Sequence, residues 1–392
     1  MAEWIDTGEA LARLGVRPQT LYAYASRGRL RVAADPADPR KSRYLAADVE
    51  ALAAHARLSR KRRDIAEGAL AWGEPALVSA ISTVADGKLY YRGQDAVALA
   101  ERLTHEETAA LLRGGEAIVA PVSRPAPPRA EGAVARMLLT LAARACEATP
   151  LAGRRGAALG GEAAALLAAI ADAVAGEAAS GAVHDRLARA WGHGPGGEAA
   201  DAIRRTLVLL ADHELNPSAF AARVAASTGA SLAAAALAGL ATLTGPRHGG
   251  APAAIRQALA RVETAGVRTA IVDAIADARP LPGFGHPLYA HADPRAEALL
   301  ARVALTSALA ALRDEAREFA GLFPNVDLAL VAVAEAYRLP QEAPIAMFAT
   351  ARAAGWIAHA IEQAESGVMI RPRARYAGVT PAHADRLLPT PW

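Results

Sequence analysis

The chain of 392 residues contains a single cysteine, Cys146. No disulfide can therefore form within it, and no CxxC pair exists to hold a zinc ion. No two histidines have the HExxH spacing of helix-borne zinc ligands either. Lysine is almost as scarce, with only Lys41, Lys61 and Lys88 present. An anion clamp in the second half of the chain must then be built from arginine, whose planar fork grips carboxylates as a lysine point charge cannot. Aromatic residues make up 5% although apolar residues reach 53%. Much of the apolar content is alanine, which favours helix and offers little to a β-sandwich or barrel. The opening residues lack a basic stretch followed by an apolar run, so no secretory signal is expected and the expected compartment is the cytoplasm.

Single cores rarely grow beyond about 250–300 residues, so a chain of this length is expected to hold at least two units. The net charge is +3, unevenly spread. Residues 1–63 carry 13 Lys+Arg against 7 Asp+Glu, and the remainder carries 30 against 33. A basic head on a mildly acidic body directs any polyanionic partner to the head. One uncharged run, Val224 to Pro246, is long enough to span a membrane. It is dominated by small residues, so it reads as helices packed closely inside a core, and no membrane partner is expected.

At the N-terminus, Asp6 followed three residues later by Glu9 marks a helix start, with Ala10, Leu11 and Leu14 on one face. A second helix runs from Pro18 through Ser26, anchored by Leu21 and Tyr22 and stopped by Gly28. Turn formers Asp35, Pro36, Asp38 and Pro39 precede Arg40-Lys41-Ser42-Arg43-Tyr44, and a third helix is predicted from Ala46 to about Leu58. The segments Leu14-Gly15-Val16, Thr20-Leu21-Tyr22, Gly28-Arg29-Leu30, Arg43-Tyr44 and Asp48-Val49-Glu50-Ala51-Leu52 resemble the MerR/excisionase type of winged helix-turn-helix. The resemblance implies DNA as a possible partner of residues 1–60, with Arg17, Gln19, Thr20 and Tyr24 offered to the major groove and Arg40, Lys41 and Arg43 to phosphate. Docking or dimerisation is the competing use of such a fold. The run Arg60-Lys61-Arg62-Arg63 reads as part of a basic linker over 61–69.

Beyond it, two β-type runs flank Asp86-Gly87, a hairpin signal, and long Ala/Leu helices follow. Gly192-His193-Gly194-Pro195-Gly196-Gly197 follows a helical stretch instead of a strand, so it is expected to be a turn between helices and not a phosphate loop. Three histidines have unusual settings: His213 in a polar cluster, and His248 and His286 beside glycines that let the backbone approach a ligand closely.

These segments, in order, resemble the citrate synthase family. The signatures stand here as ISTVADGKLYYRGQDAVALAE (81–101), ADHELNPSAFAARVAAST (211–228), GPRHGGAP (245–252), GFGHPLYAHADPRA (283–296), FPNVD (323–327), TARAAGWIAH (350–359) and RPRARY (371–376). The resemblance implies a mainly α-helical fold with a large domain, 70–249 and 339–392, and a small domain, 250–338, in a homodimer with shared active sites. It implies condensation of acetyl-CoA with oxaloacetate and water to give citrate and CoA, with the CoA thioester as substrate and no cofactor. Asp327 would remove the methyl proton, His248 would hydrogen-bond the thioester oxygen, and His286 would polarise and protonate the oxaloacetate carbonyl. His213, Arg295 and Arg352 would hold carboxylates, and Arg371 would reach into the partner protomer's site. Where the family commonly has basic residues after the GFGH histidine, this chain has Pro287-Leu288-Tyr289-Ala290. A 2-methylcitrate synthase using propionyl-CoA, and a metabolite-sensing DNA-binding regulator built on the synthase fold, are the alternatives.

Overall fold

The computed structural model describes residues 3–26, 29–36, 38, 41–53, 77–118, 125–276, 280–289, 291–374 and 376. The chain divides into two compact units, Met1–Val78 and Ser79–Trp392. The predicted roles of Gly28, Arg40 and the linker 61–69 with its basic run fall outside the described residues, as does the third helix beyond residue 53.

In the first unit, Asp6 caps the helix Thr7–Leu14 by accepting from the Glu9 N–H, and Gly15 at φ 63° closes it. The helix Pro18–Ser26 follows, and residues 46–53 are helical. Strands Trp4–Asp6 and Val32–Ala34 both pair antiparallel with the central strand Ser42–Leu45. Ile5, Ala10, Leu21, Leu30, Tyr44 and Val49 form the core. Leu21 is an anchor as expected, but Tyr22 is 55% exposed. Consecutive helix positions point about 100° apart, so a neighbour of a buried residue turns outward.

The second unit opens with the expected hairpin, Ser82–Ala85 against Lys88–Tyr91. Asp86 (φ 49°) and Gly87 (φ 71°) both take the left-handed conformation that a tight two-residue hairpin turn requires. Residues 192–197 join the helices Val183–Ala190 and Glu198–Leu209, as a helix-to-helix turn. The uncharged run becomes parts of two helices, Pro217–Ser227 and Leu232–Leu243, that pack on each other and on the helix Ala343–Ser366. A stretch with the length and composition of a membrane span, Ala158–Ala175, is 67% buried inside the protein, as a core helix is.

Ala343–Ser366 is the axis of this unit. Helices that are apolar on every side must be enclosed, and its residues from Ala343 to Ile361 are buried almost without interruption. The helices His105–Arg113, Gly156–Ala175, Glu198–Leu209, Pro217–Ser227 and Leu232–Leu243 all contact it. A second hydrophobic cluster, including Ile255, Ile271, Phe284, Leu309, Leu312 and Leu328, joins the helices Ala251–Ala265, Val267–Ala276, Ser307–Ala320 and Val326–Ala336.

The Leu232–Leu243 helix approaches the axis through Gly239, where an added Cβ would lie 2.7 Å from the Trp356 ring. Gly239→Val should therefore destabilise the protein by about 1–3 kcal/mol, the usual cost of overpacking a dense core. Thermal denaturation reads the loss, and an unchanged melting temperature would show that the two helices part freely.

Candidate active site

The loop after Glu198–Leu209 carries His213. Glu214 takes φ 51°, and Asn216 caps the next helix by accepting from the Ala219 N–H at 3.1 Å. The opening hairpin holds this loop: the Glu214 N–H donates to Ser82 Oγ at 2.8 Å, and Val84 N–H donates to Glu214 Oε1 at 2.7 Å. His213 is buried, with Nε2 2.9 Å from Tyr289 Oη and its ring 5.0 Å from that of His286. Burial, reinforced by Arg295 and Arg352, keeps it neutral with a pKa well below the usual value.

His248 stands in the glycine turn before Ala251–Ala265. A Cβ on Gly250 would come within 2.9 Å of Pro246 Cα, so the sequence's glycine is a steric requirement there. His248 Nε2 is 2.9 Å from Ser218 Oγ, and the ring meets the edge of Phe348. Burial and the charge of Arg352 push its pKa down to about 4.

His286 is presented by a loop stitched to another. Gly285 N–H donates to Phe323 O at 2.9 Å, and Asn325 donates from its backbone to Gly283 O at 2.8 Å and from its side chain to Gly285 O at 3.0 Å. Gly283 at φ 85° packs where a Cβ would lie 3.0 Å from both Ile255 and Leu328. His286 Nδ1 accepts from the Leu288 N–H at 3.2 Å, so the neutral ring carries its proton on Nε2. Its pKa falls to about 4, from burial and then Arg295.

Asp327 is the second residue of Val326–Ala336, whose cap Asn325 accepts from the Asp327 N–H at 3.0 Å. Its side chain is half-buried, and desolvation and Asp293 outweigh Arg295 and Arg352 and push its pKa up to about 6. Asp293 ties three parts together. It caps the helix Pro294–Leu300, pairs with Arg295 through both oxygens at 3.0 and 2.8 Å, and accepts from the Val326 N–H at 3.1 Å. Arg295, expected to hold a substrate carboxylate, thus has Nε and Nη2 already committed within its own chain.

Arg352 differs. It is 2% exposed, donates Nε to Leu210 O at 2.8 Å and lies 4.9 Å over the Phe348 ring, and among the described residues no carboxylate pairs with it. Burial lowers its pKa to about 10, and its charge acts on His213, His248, His286 and Asp327 alike. Six of the seven predicted residues therefore converge. Arg371 does not join them; it lies exposed in the irregular segment after Ala343–Ser366.

Ser218, Tyr289, Asp293 and Phe348 escaped sequence reasoning as site residues. Only Asp293 had a local signal, as an Asp before Pro at a helix start. Among the described residues, no group of three or more His, Cys, Asp or Glu side chains could hold a metal ion. A cavity of about 410 Å³ elsewhere, lined by Arg113, Leu167, Ala168 and Val183, includes none of the predicted residues.

The family model for the citrate synthase C-terminal domain matches residues 128–373. The citrate synthase of Haloferax volcanii is 36% identical over 199 residues, 48% of this chain and 52% of that protein. The chain spans about half the length of the curated relatives it matches. Citrate synthase from Thermoplasma acidophilum, solved with carboxymethyl-CoA and oxaloacetate, superimposes with a TM-score of 0.64 at 26% identity, covering 78% of this chain and 94% of that one. The Thermotoga maritima citrate synthase structure gives a TM-score of 0.63 at 24% identity, over 80% and 97%, a likeness of fold.

Folding raises the Asp327 pKa from 3.8 to about 6. A carboxyl group that binds its proton more tightly when folded contributes stability in full below its unfolded pKa, and loses it as pH rises through the folded value. Asp327→Asn should therefore melt at a higher temperature than the parent at about pH 8, the gap closing towards about pH 4. A gap that is constant across this range would place the ordinary pKa on Asp327.

Proposed function

The chain belongs to the citrate synthase family, and from that premise we propose that its cleft condenses acetyl-CoA with oxaloacetate and water to give citrate and CoA. The observation that carries this reading is the buried, unpaired Arg352 among three neutral histidines and a carboxyl group with a raised pKa. A buried cation without a counter-ion is costly, and a dicarboxylate substrate removes that cost. The base and the donors then face the same small volume.

A thioester methyl is a very weak acid, so a carboxylate can take its proton only if the developing oxygen charge is stabilised at once. Asp327 removes the proton and His248 hydrogen-bonds the thioester oxygen, giving the enol. The enol carbon attacks the oxaloacetate carbonyl carbon, whose oxygen is polarised and protonated from the His286 side. Water then attacks the thioester carbonyl and CoA leaves with a proton. Neutral imidazoles suit the roles of His248 and His286, because each offers an N–H without drawing Asp327 into an ion pair that would weaken it as a base.

In this reading residues 250–338 form a small domain that closes on the large domain of 70–249 and 339–392, excluding water from the enol. Arg371, exposed on its own chain, reaches the site of a second protomer in a closed dimer. The CoA thioester enters as a substrate, and besides oxaloacetate and water the chemistry draws only on side chains. Propionyl-CoA differs by one methylene, which a pocket discriminates by only about 1–3 kcal/mol. The cytoplasm supplies both substrates.

The N-terminal unit is proposed as a winged helix-turn-helix that meets DNA through Pro18–Ser26. Arg17 and Gln19 are exposed there. The strands beside it are largely neutralised: Arg43 pairs with Asp35 at 2.9 Å, Lys41 with Asp38 at 3.6 Å and Arg31 with Asp48 at 2.7 Å. Phosphate contact by Lys41 and Arg43 then requires those pairs to open.

Purified protein should release free thiol from acetyl-CoA only when oxaloacetate is present, with propionyl-CoA run alongside to rank the donors. Asp327→Ala should lower turnover by about 100-fold or more while oxaloacetate still binds, since the base acts on the other substrate. Near-normal turnover would remove Asp327 from the mechanism. For the head, duplex DNA binding by the full chain should weaken steeply with rising salt. Absence of binding at low salt would leave the unit a docking element.

A further inference from the structure

Tyr289 is 4% exposed and meets both inward-facing histidines of the cleft. Its hydroxyl lies 2.9 Å from His213 Nε2, and its ring centre is 5.0 Å from that of His286. The Arg295 guanidinium sits 5.5 Å over the same ring, itself fixed by the two-oxygen pairing with Asp293. The hydroxyl is thus aimed by packing on two sides. Among the described residues, His213 is its hydrogen-bond partner.

A neutral imidazole carries one proton, and which nitrogen holds it decides what the ring can do for a ligand. A phenol is a good donor and an imidazole nitrogen a good acceptor, so the Tyr289 O–H donates and His213 Nε2 accepts. The His213 proton then resides on Nδ1. That nitrogen makes no hydrogen bond within the described residues and is not sealed from solvent. With Nε2 protonated instead, the ring would present a lone pair, which repels a carboxylate.

We propose that Tyr289 is a positioning residue which, by donating to Nε2, holds His213 as the Nδ1–H tautomer and so makes it a donor to a carboxylate of the four-carbon oxo-diacid. The proposal rests on the synthase reading for the identity of that ligand, but the tautomer is a property of the ligand-free chain. Tyr289→Phe keeps the ring against His286 and Arg295 and removes only the hydroxyl.

The test is the histidine-ring nitrogen-15 spectrum of the full-length, ligand-free protein, with the His213 signals identified by their loss in His213→Gln. In the parent protein, Nδ1 is expected to carry the proton and Nε2 to be the bare nitrogen. In Tyr289→Phe, the population should move towards Nε2–H. The same variant should raise the KM for oxaloacetate by about fivefold, the worth of one neutral hydrogen bond, and leave the KM for the acyl-CoA alone. A purely structural role would move both KM values or kcat without moving the tautomer. A proton on Nε2 in the parent protein overturns the proposal even if the variant fails to fold, and so does a tautomer ratio that Tyr289→Phe leaves unchanged. Failure of thiol release with either acyl-CoA would instead overturn the functional reading, since the nitrogen spectrum needs no substrate.

Discussion

A buried guanidinium group with which no carboxylate pairs among the described residues is the constraint on which the site depends. Arg352 sits in the enclosed helix Ala343–Ser366, donates to a carbonyl oxygen and lies over an aromatic face. Burial first, then the charge of Arg295 for His213 and His286 and that of Arg352 for His248, keeps the three histidines neutral. Asp327 feels these charges from the other direction, yet burial keeps its pKa raised. The result is a site that holds three neutral imidazoles, a carboxyl group with a raised pKa and a buried guanidinium group.

The surrounding scaffold exists to hold that arrangement still. Asp212, next to His213, is buried and accepts from Ser82 Oγ at 2.5 Å and from His359 at 3.3 Å. His359 in turn meets Arg223 at 3.2 Å, and Arg223 donates to Gln363 at 2.9 Å and Glu362 at 2.5 Å. This chain fixes the His213 loop to the axial helix that carries Arg352. On the other side, Asp293 and Asn325 tie the His286 loop, Arg295 and Asp327 into one piece. Two separately braced pieces meet at the contact between His213 and Tyr289.

Two of the site histidines have a hydroxyl group at one ring nitrogen. Ser218 meets Nε2 of His248 and Tyr289 meets Nε2 of His213, each at 2.9 Å. A neutral histidine has no charge to declare its role, so its second hydrogen-bond partner supplies that information.

Several features were legible in the sequence alone because they are local. Asp6 and Gly15 mark the ends of the first helix, Asp86-Gly87 makes the hairpin, and the scarcity of lysine left arginine as the cation of the second half. The family signatures also picked out six of the residues that converge. What the sequence could not contain is any relation between side chains brought together by packing. Nothing near Tyr22 distinguishes it from Leu21, yet one faces solvent and the other the core. Arg295 and Arg352 read alike as carboxylate clamps; the fold gives one an aspartate and leaves the other unpaired. Tyr289 and His213 are 76 positions apart, and their hydrogen bond exists only because two loops meet. Propensity and turn chemistry act over a few residues, whereas burial, pairing and the place of a proton are set by neighbours distant in sequence, and those the tertiary structure alone decided.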